Sequence, residues 1–323
     1  MSGCASGPCV GEAPGVGARA TRLRAAVRLS RPDQVLLVLM VGGVGWVAGT
    51  SGAATRWWSV PTNGTGMATS GVGLPAGGLA LTVLVVAAVA VSVHAINEFA
   101  DVGTDARTVR TRFSGGSGAL AEHGLPAVLA LRVAVAAAVV ASALTAFGVL
   151  SGLVTGLVAL LLGLGLVGGW AYSVGPWPFS RHGWGEVVNA LLGGLLLPAT
   201  GAVVAGAAPG AAALAFVPFA LLTFVNLLET QWADRTADRA VGKHTLASRL
   251  SPTTLRRTGA VAAATAYLLS LVVHPWPVAL AGLLAAPLSW YAVRRLGHGP
   301  PGPAVAAMIL FLLLQGAAWL ILV

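Results

Sequence analysis

The sequence predicts an all-α fold, a polytopic bundle of membrane-spanning helices. Three observations carry the prediction. The 323-residue chain is 56% hydrophobic, with a mean hydropathy of +0.84. Only 9% of its residues are charged, where an ordinary soluble domain has about 25%. Those charges collect between long uncharged runs, each close to the ~20 apolar residues that one membrane crossing needs.

Nine transmembrane helices are predicted. The first, 33–50, follows arginines at 22, 24, 28 and 31. The second, 74–98, contains "LALTVLVVAAVAVSVHAI", which has no charge. The third and fourth, 125–147 and 149–172, are divided only by "FGVLSG". The fifth and sixth cover 185–206 and 210–231. The seventh and eighth, 255–274 and 276–294, meet at "HPWP", and the ninth is 303–323. Gly and Ala recur inside these runs and let helices approach closely in lipid. Residues 1–21 read as a disordered cytoplasmic leader, and 22–323 as a single transmembrane domain. Cys4 and Cys9 lie in the leader, too few for a disulfide framework and with no His nearby for a zinc site.

The net charge of +9 implies no nucleic acid, because the basic residues sit between apolar runs without aromatic interleaving. They report orientation instead. Of the 19 Lys and Arg residues, Arg56 alone falls on the far side, and Arg132 falls inside the third run. The positive-inside rule then puts the N-terminus in the cytoplasm and the C-terminus outside. Tryptophans 57, 58, 276 and 319 are expected at the outer interface as an aromatic belt. The Ala/Gly/Val/Arg-rich composition suggests a bacterial plasma membrane.

The acids share the cytoplasmic side, which that rule does not require. They concentrate in two places, Asn97-x3-Asp101-x3-Asp105 and Asp234-x3-Asp238. Four-residue spacing sets each group along one helical face. Carboxylates so placed repel one another and call for a cation. Mg²⁺ fits, a hard ion held by one or two carboxylates plus substrate phosphates. Two motifs across a pocket would hold a diphosphate, with Arg107, Arg110, Arg112, Arg239 and Lys243 on its remaining oxygens. "SGGSG" (114–118) offers backbone N–H groups as an anion nest.

At these residues the chain resembles the UbiA-type intramembrane prenyltransferases. Their first motif reads N-D-x-x-D-x-x-x-D; "NEFADVGTD" matches at Asn97, Asp101 and Asp105 and departs at Glu98. Their second reads D-x-x-x-D followed by G-K-x-T-L; "DRTADRAVGKHTL" matches at Asp234, Asp238, Gly242, Lys243, Thr245 and Leu246. "RLSRPDQ" (28–34) resembles the family's approach to its first helix. "YSVGPWPFSRHGWGEVVNALLGG", from Tyr172, resembles the members that act on dihydroxynaphthoate. The likeness covers about 22–323.

The resemblance implies nine helices around a central cavity open to the cytoplasmic side. It implies a Mg²⁺-dependent enzyme that ionises an isoprenoid diphosphate to an allylic cation, which an aromatic or quinone-precursor acceptor then attacks. Asn97, Asp101, Asp105, Asp234 and Asp238 would hold the Mg²⁺–diphosphate. Lys243, Arg112, Arg181, Tyr172 and Arg239 would contact phosphate. Glu229, Asn226 and Asn189 are candidates for the acceptor or pocket; Asn226 would share a face with Asp234 if that helix is unbroken. His94 reads as a satisfied core histidine. Arg132 needs a polar cavity or a snorkelling route, unless its helix is shifted so that it lies near a loop. Two other functions compete: a UbiA-like terpene cyclase, in which the cation attacks its own chain, and a transporter.

Overall fold

The computed structural model describes residues 16–51, 73–111 and 115–322. The described residues form no strand. Their helices are α1 (Val16–Leu29), α2 (Pro32–Thr50), α3 (Ala76–Asp105), α4 (Ala119–Glu122), α5 (Val128–Leu150), α6 (Gly156–Ser173), α7 (Gly185–Val204), α8 (Pro209–Thr230), α9 (Arg235–Ala240), α10 (Leu246–Arg249), α11 (Pro252–Val273), α12 (Trp276–Leu283), α13 (Ala286–Arg295) and α14 (Gly302–Leu322).

Each expected run is helical. Eight described helices are long and apolar enough to cross a membrane, with 21–50 counted as one and 276–295 as another. The expected seventh run, α11, is the one outside these eight: it is 22 residues long, but Arg256 and Arg257 dilute its apolar stretch. α1 begins at Val16, inside the segment expected as leader, and residues 1–15 with both cysteines lie outside the described residues. Arg132 falls in the second turn of α5 and is exposed, so the loop-proximal reading holds.

The helices close into a ring. α3 packs on α5 and α6, α2 on the end of α7, and α8 on α11. α14 packs on α12 and α13 and returns to α2. Small residues set the tightest contact. Gly45 lies on the Pro198 backbone and Gly201 on the Gly42 carbonyl, so closely that a Cβ on either would overlap the opposite main chain. In lipid, such close approach is what holds helices together.

α7 is irregular. Residues Ala190–Leu196 are wound as a π-helix, and α-helical winding resumes at Leu197. Pro198 follows at once, and its missing N–H takes one bond out of an α ladder.

The core between α8, α11 and α14 is aromatic. Phe216 meets Trp319 edge-on, as Tyr267 meets Phe311. A buried polar knot lies beside it: His274 Nε2 is 2.7 Å from the Ala215 carbonyl, and Gln315 Nε2 donates to Ser270 Oγ at 3.0 Å. Every member has a partner, which burial in lipid demands. Trp276 is 73% exposed, but Trp319 is 1% exposed and belongs to the core rather than to an interfacial belt. Trp57 and Trp58 lie outside the described residues.

Candidate functional site

α3 has 30 residues, about 45 Å of helix against roughly 30 Å of bilayer hydrocarbon. Its final turns therefore stand beyond the apolar core, and they carry Asn97, Glu98, Asp101 and Asp105. The second motif is built differently. α8 stops at Thr230, the chain turns, and α9 restarts with Asp234 as its N-cap. Asn226 thus does not share an unbroken helix with Asp234. Asp234 and Asp238 still stand one turn apart. After α9 the chain reverses at Gly242 (φ 68°), and the Lys243 N–H donates to the Asp238 carbonyl at 2.8 Å. That reversal needs a residue free to adopt positive φ.

Lys243 joins the motifs. Its Nζ is 3.0 and 3.1 Å from the two Asp101 carboxylate oxygens and 3.9 Å from Asp238 Oδ1. All three residues are buried. Burial alone would push the ammonium pKa down; the Asp101 carboxylate, with Asp238, outweighs it and holds Lys243 above its ordinary value. At Asp238 burial dominates and pushes the carboxyl up to about 6, with Lys243 and the Thr245 hydroxyl pulling partly back. Thr245 Oγ1 donates to Asp238 Oδ2 at 3.1 Å, while Asp238 Oδ1 is buried without a hydrogen-bond partner.

Supports surround this pair. Glu186, 0% exposed at the start of α7, accepts the Leu246 N–H at 2.6 Å and fixes the segment after Lys243. Arg181 Nη2 donates to the Ala100 carbonyl at 3.1 Å, and the Arg181 carbonyl accepts the His244 N–H at 3.0 Å. Arg239 Nε donates to the Ser248 carbonyl at 2.6 Å. Arg107 caps its own helix through Gly103, and Arg110 pairs with Glu122. The arginines expected on phosphate are thus largely engaged with the protein in this state. Arg112 lies outside the described residues.

A cavity of about 440 Å³ opens beside the motifs. Its polar lining includes Arg31, His94, Asn97, Tyr172, Asn189 and Asn226; the rest is mostly apolar. The motif aspartates and Lys243 do not line it, so Asn97 and Tyr172 mark the junction of cavity and charged site. Asn97 Oδ1 accepts the Ser173 hydroxyl at 3.3 Å. His94 is not the satisfied core residue expected: its Nε2 is buried without a partner, as is Asn226 Oδ1. Glu229 is buried off the cavity, and its Oε1 has no partner. Among the described residues no three His, Cys, Asp or Glu side chains are gathered into a metal centre.

Motif spacing finds the aspartates and Lys243. It misses Glu186, Thr245 as helix cap, and Arg28, Arg31 and Ser117, all of which hold loops. The motif match at Thr245, the likeness at 28–34, the SGGSG run and the departure at Glu98 were the signals the sequence held for them, without the contacts each makes.

The profile of the UbiA prenyltransferase family matches residues 57–315. No curated protein sequence matches the chain. Among solved structures, a UbiA homologue from Aeropyrum pernix K1 without ligand is 16% identical at a TM-score of 0.61, covering 87% of this chain and 96% of that one. A UbiA homologue from Archaeoglobus fulgidus bound to GPP and Mg²⁺ is 16% identical at 0.58, covering 92% and 99%. A digeranylgeranylglyceryl phosphate synthase is 13% identical at 0.60, covering 93% and 99%. At such identities the likeness shows the fold alone. The family profile spans most of the chain, on a bundle with two aspartate motifs at one end, and so this membrane protein belongs to the UbiA prenyltransferase family.

Proposed function

We propose that the protein is a Mg²⁺-dependent intramembrane prenyltransferase. It moves a prenyl group from an isoprenoid diphosphate to an aromatic or quinone-precursor acceptor. One observation carries the reading: Lys243 stands as a buried cation between Asp101 and Asp238, and Asp101 is one helical turn from Asn97, which lines a largely apolar cavity. A solvated loop face does not bury opposite charges in this way.

The residues suit Mg²⁺. Asn97, Asp101, Asp105, Asp234 and Asp238 offer only hard oxygens, and the Asp238 Oδ1 lacks a partner. A site that relies on substrate phosphate oxygens needs no preassembled centre. When bound, Mg²⁺ neutralises charge on the departing diphosphate.

The chain's own groups do the rest. Lys243 turns from Asp101 to the phosphate oxygens, and Tyr172 and Arg112 are the further phosphate contacts. Asn97, at the junction, orients the donor so that its diphosphate meets the motifs and its tail enters the cavity. The apolar lining keeps water from the allylic cation. Asn189, Asn226 and His94 present polar atoms where an acceptor ring would lie, with Glu229 as further support. Arg181 and Arg239 act through the backbone segments they hold. The motifs face the cytoplasm, with the N-terminus there, the C-terminus outside, and residues 22–323 forming the domain.

The test supplies purified protein with Mg²⁺ and isoprenoid diphosphates of several lengths, with and without aromatic acceptors. Pyrophosphate and product mass are followed. Acceptor-dependent prenylation is expected. A hydrocarbon product formed without acceptor would instead establish the cyclase reading. Asp101→Ala and Asp234→Ala should each abolish turnover in a folded bundle.

A further inference from the structure

Glu98 is where the first motif departs from the family pattern, and it is 4% exposed. Its carboxylate takes the Gly-rich loop. Oε1 accepts the Ser117 backbone N–H at 2.5 Å, and Oε2 accepts the Ser117 hydroxyl at 2.9 Å. Arg31 Nη1 lies 3.8 Å from Oε1 and offsets the charge. Arg31 is itself the only described non-glycine residue with positive φ (47°), at the corner between α1 and α2. Such strain persists where surroundings fix it.

Ser117 is also held from its other side. Arg28 Nη2 donates to the Ser117 carbonyl at 3.0 Å, and the same guanidinium binds Glu122 at 2.5 and 3.1 Å. Ser117 Oγ accepts the Ala119 N–H at 3.2 Å and starts α4. One serine thus has its N–H, carbonyl and hydroxyl fixed by α1, α3 and α4. The consequence falls on its neighbour. Gly116 (φ 64°) lies on the Asp105 carboxylate, where a Cβ would overlap it, and the same Cβ would be 3.2 Å from Glu98 Oε2. The expected anion nest at 114–118 therefore spends the Ser117 amide on an internal anion, Glu98.

We propose that Glu98 is a positioning residue for the diphosphate site: by pinning Ser117 it lays the Gly116 backbone on Asp105 and fixes how that carboxylate faces. The extra methylene of Glu over Asp supplies about 1.5 Å of reach toward Ser117. The kinetic consequence rests on the donor-binding reading above; the pin itself does not.

Three variants test it in the full-length protein: Glu98→Ala, Glu98→Gln and Ser117→Ala. Hydrogen exchange at the Ser117 amide should quicken about 10- to 100-fold in Glu98→Ala, the loss of a hydrogen bond to a charged group. Glu98→Gln, which keeps an acceptor, should restore most protection. The donor KM should rise about tenfold in Glu98→Ala with kcat changed less than about threefold, and Glu98→Gln should recover it. A carboxylate metal ligand would be rescued only weakly by Gln, whose amide oxygen carries no charge. Ser117→Ala should give the same shifts in smaller size, and it carries the test if Glu98→Ala does not fold. Unchanged Ser117 exchange in both Glu98→Ala and Ser117→Ala would overturn the pin. Glu98→Gln as inactive as Asp101→Ala, with Ser117 still protected, would place Glu98 on the metal and overturn the positioning role. If the wild type turns over no isoprenoid diphosphate, the donor reading fails alone, and the exchange data still decide the pin.

Discussion

At Lys243 one ammonium stands between two carboxylates from separate motifs. Removing it leaves Asp101 and Asp238 buried together without compensation, a costly arrangement. Lys243→Ala is therefore expected to lower kcat/KM for the donor by about 100-fold or more, read by steady-state kinetics. Lys243→Arg keeps the charge but not the compact three-donor head, and should retain intermediate activity. Asp238 predicts a pH dependence. Burial raises its folded carboxyl to about 6, so the folded state binds this proton more tightly than the unfolded chain does. Ionised Asp238 thus costs stability above that pH, and the cost fades as pH falls through it. In the proposed role of Asp238 a bound Mg²⁺ takes the place of this proton, so Mg²⁺ affinity should weaken as pH drops below about 6. Titrations at about pH 5 and about pH 7.5 check this, and equal affinity would contradict it. The motif residues were readable because their spacing is local. The Lys243–Asp101 contact spans 142 positions, and Glu186 meets Leu246 across 60, so no local pattern announces either.

Among the helices, the closest approach is between α2 and α7. Gly201→Leu would force a side chain into the Gly42 main chain and should destabilise the bundle by about 1–3 kcal/mol or more. A lowered Tm by thermal unfolding in detergent checks it, while Gly163→Leu, with open space around it, should change Tm little. Apolar length located the helices, because a bilayer demands that length. It failed where polar sequence also forms helix: α3 runs on to Asp105 past the expected end at 98, because backbone bonding does not stop where lipid does. At α8 it held: the helix ends at Thr230, beside the expected end at 231, so the unbroken helix that would set Asn226 on the face of Asp234 does not form. Trp319 was misplaced because a Trp near the end of an apolar run looks interfacial, whereas the aromatic ring of Phe216 and the buried His274 enclose it.

As a whole the molecule is a closed ring with its acids at one end. If that end faces the cytoplasm, an impermeant maleimide should label Ser151→Cys in intact cells, with Cys4 and Cys9 replaced by Ser. His298→Cys should react only after permeabilisation. The opposite pattern would invert the proposed orientation. The ring's likeness to solved relatives at 13–17% identity rests on shape, and the π stretch in α7 bears on how residues are paired between them. A π turn holds about one residue more than an α turn, so across Ala190–Leu196 the helix gains one position without lengthening its path. Set against a relative whose helix is α-wound throughout, an alignment without a gap here would place Pro198 and Gly201 about 100° around the helix from their counterparts. It would credit the α2-facing positions to the opposite face. Against such a relative, any substitution table for α7 after Leu196 is offset by one residue from that for the half that holds Glu186 and Asn189.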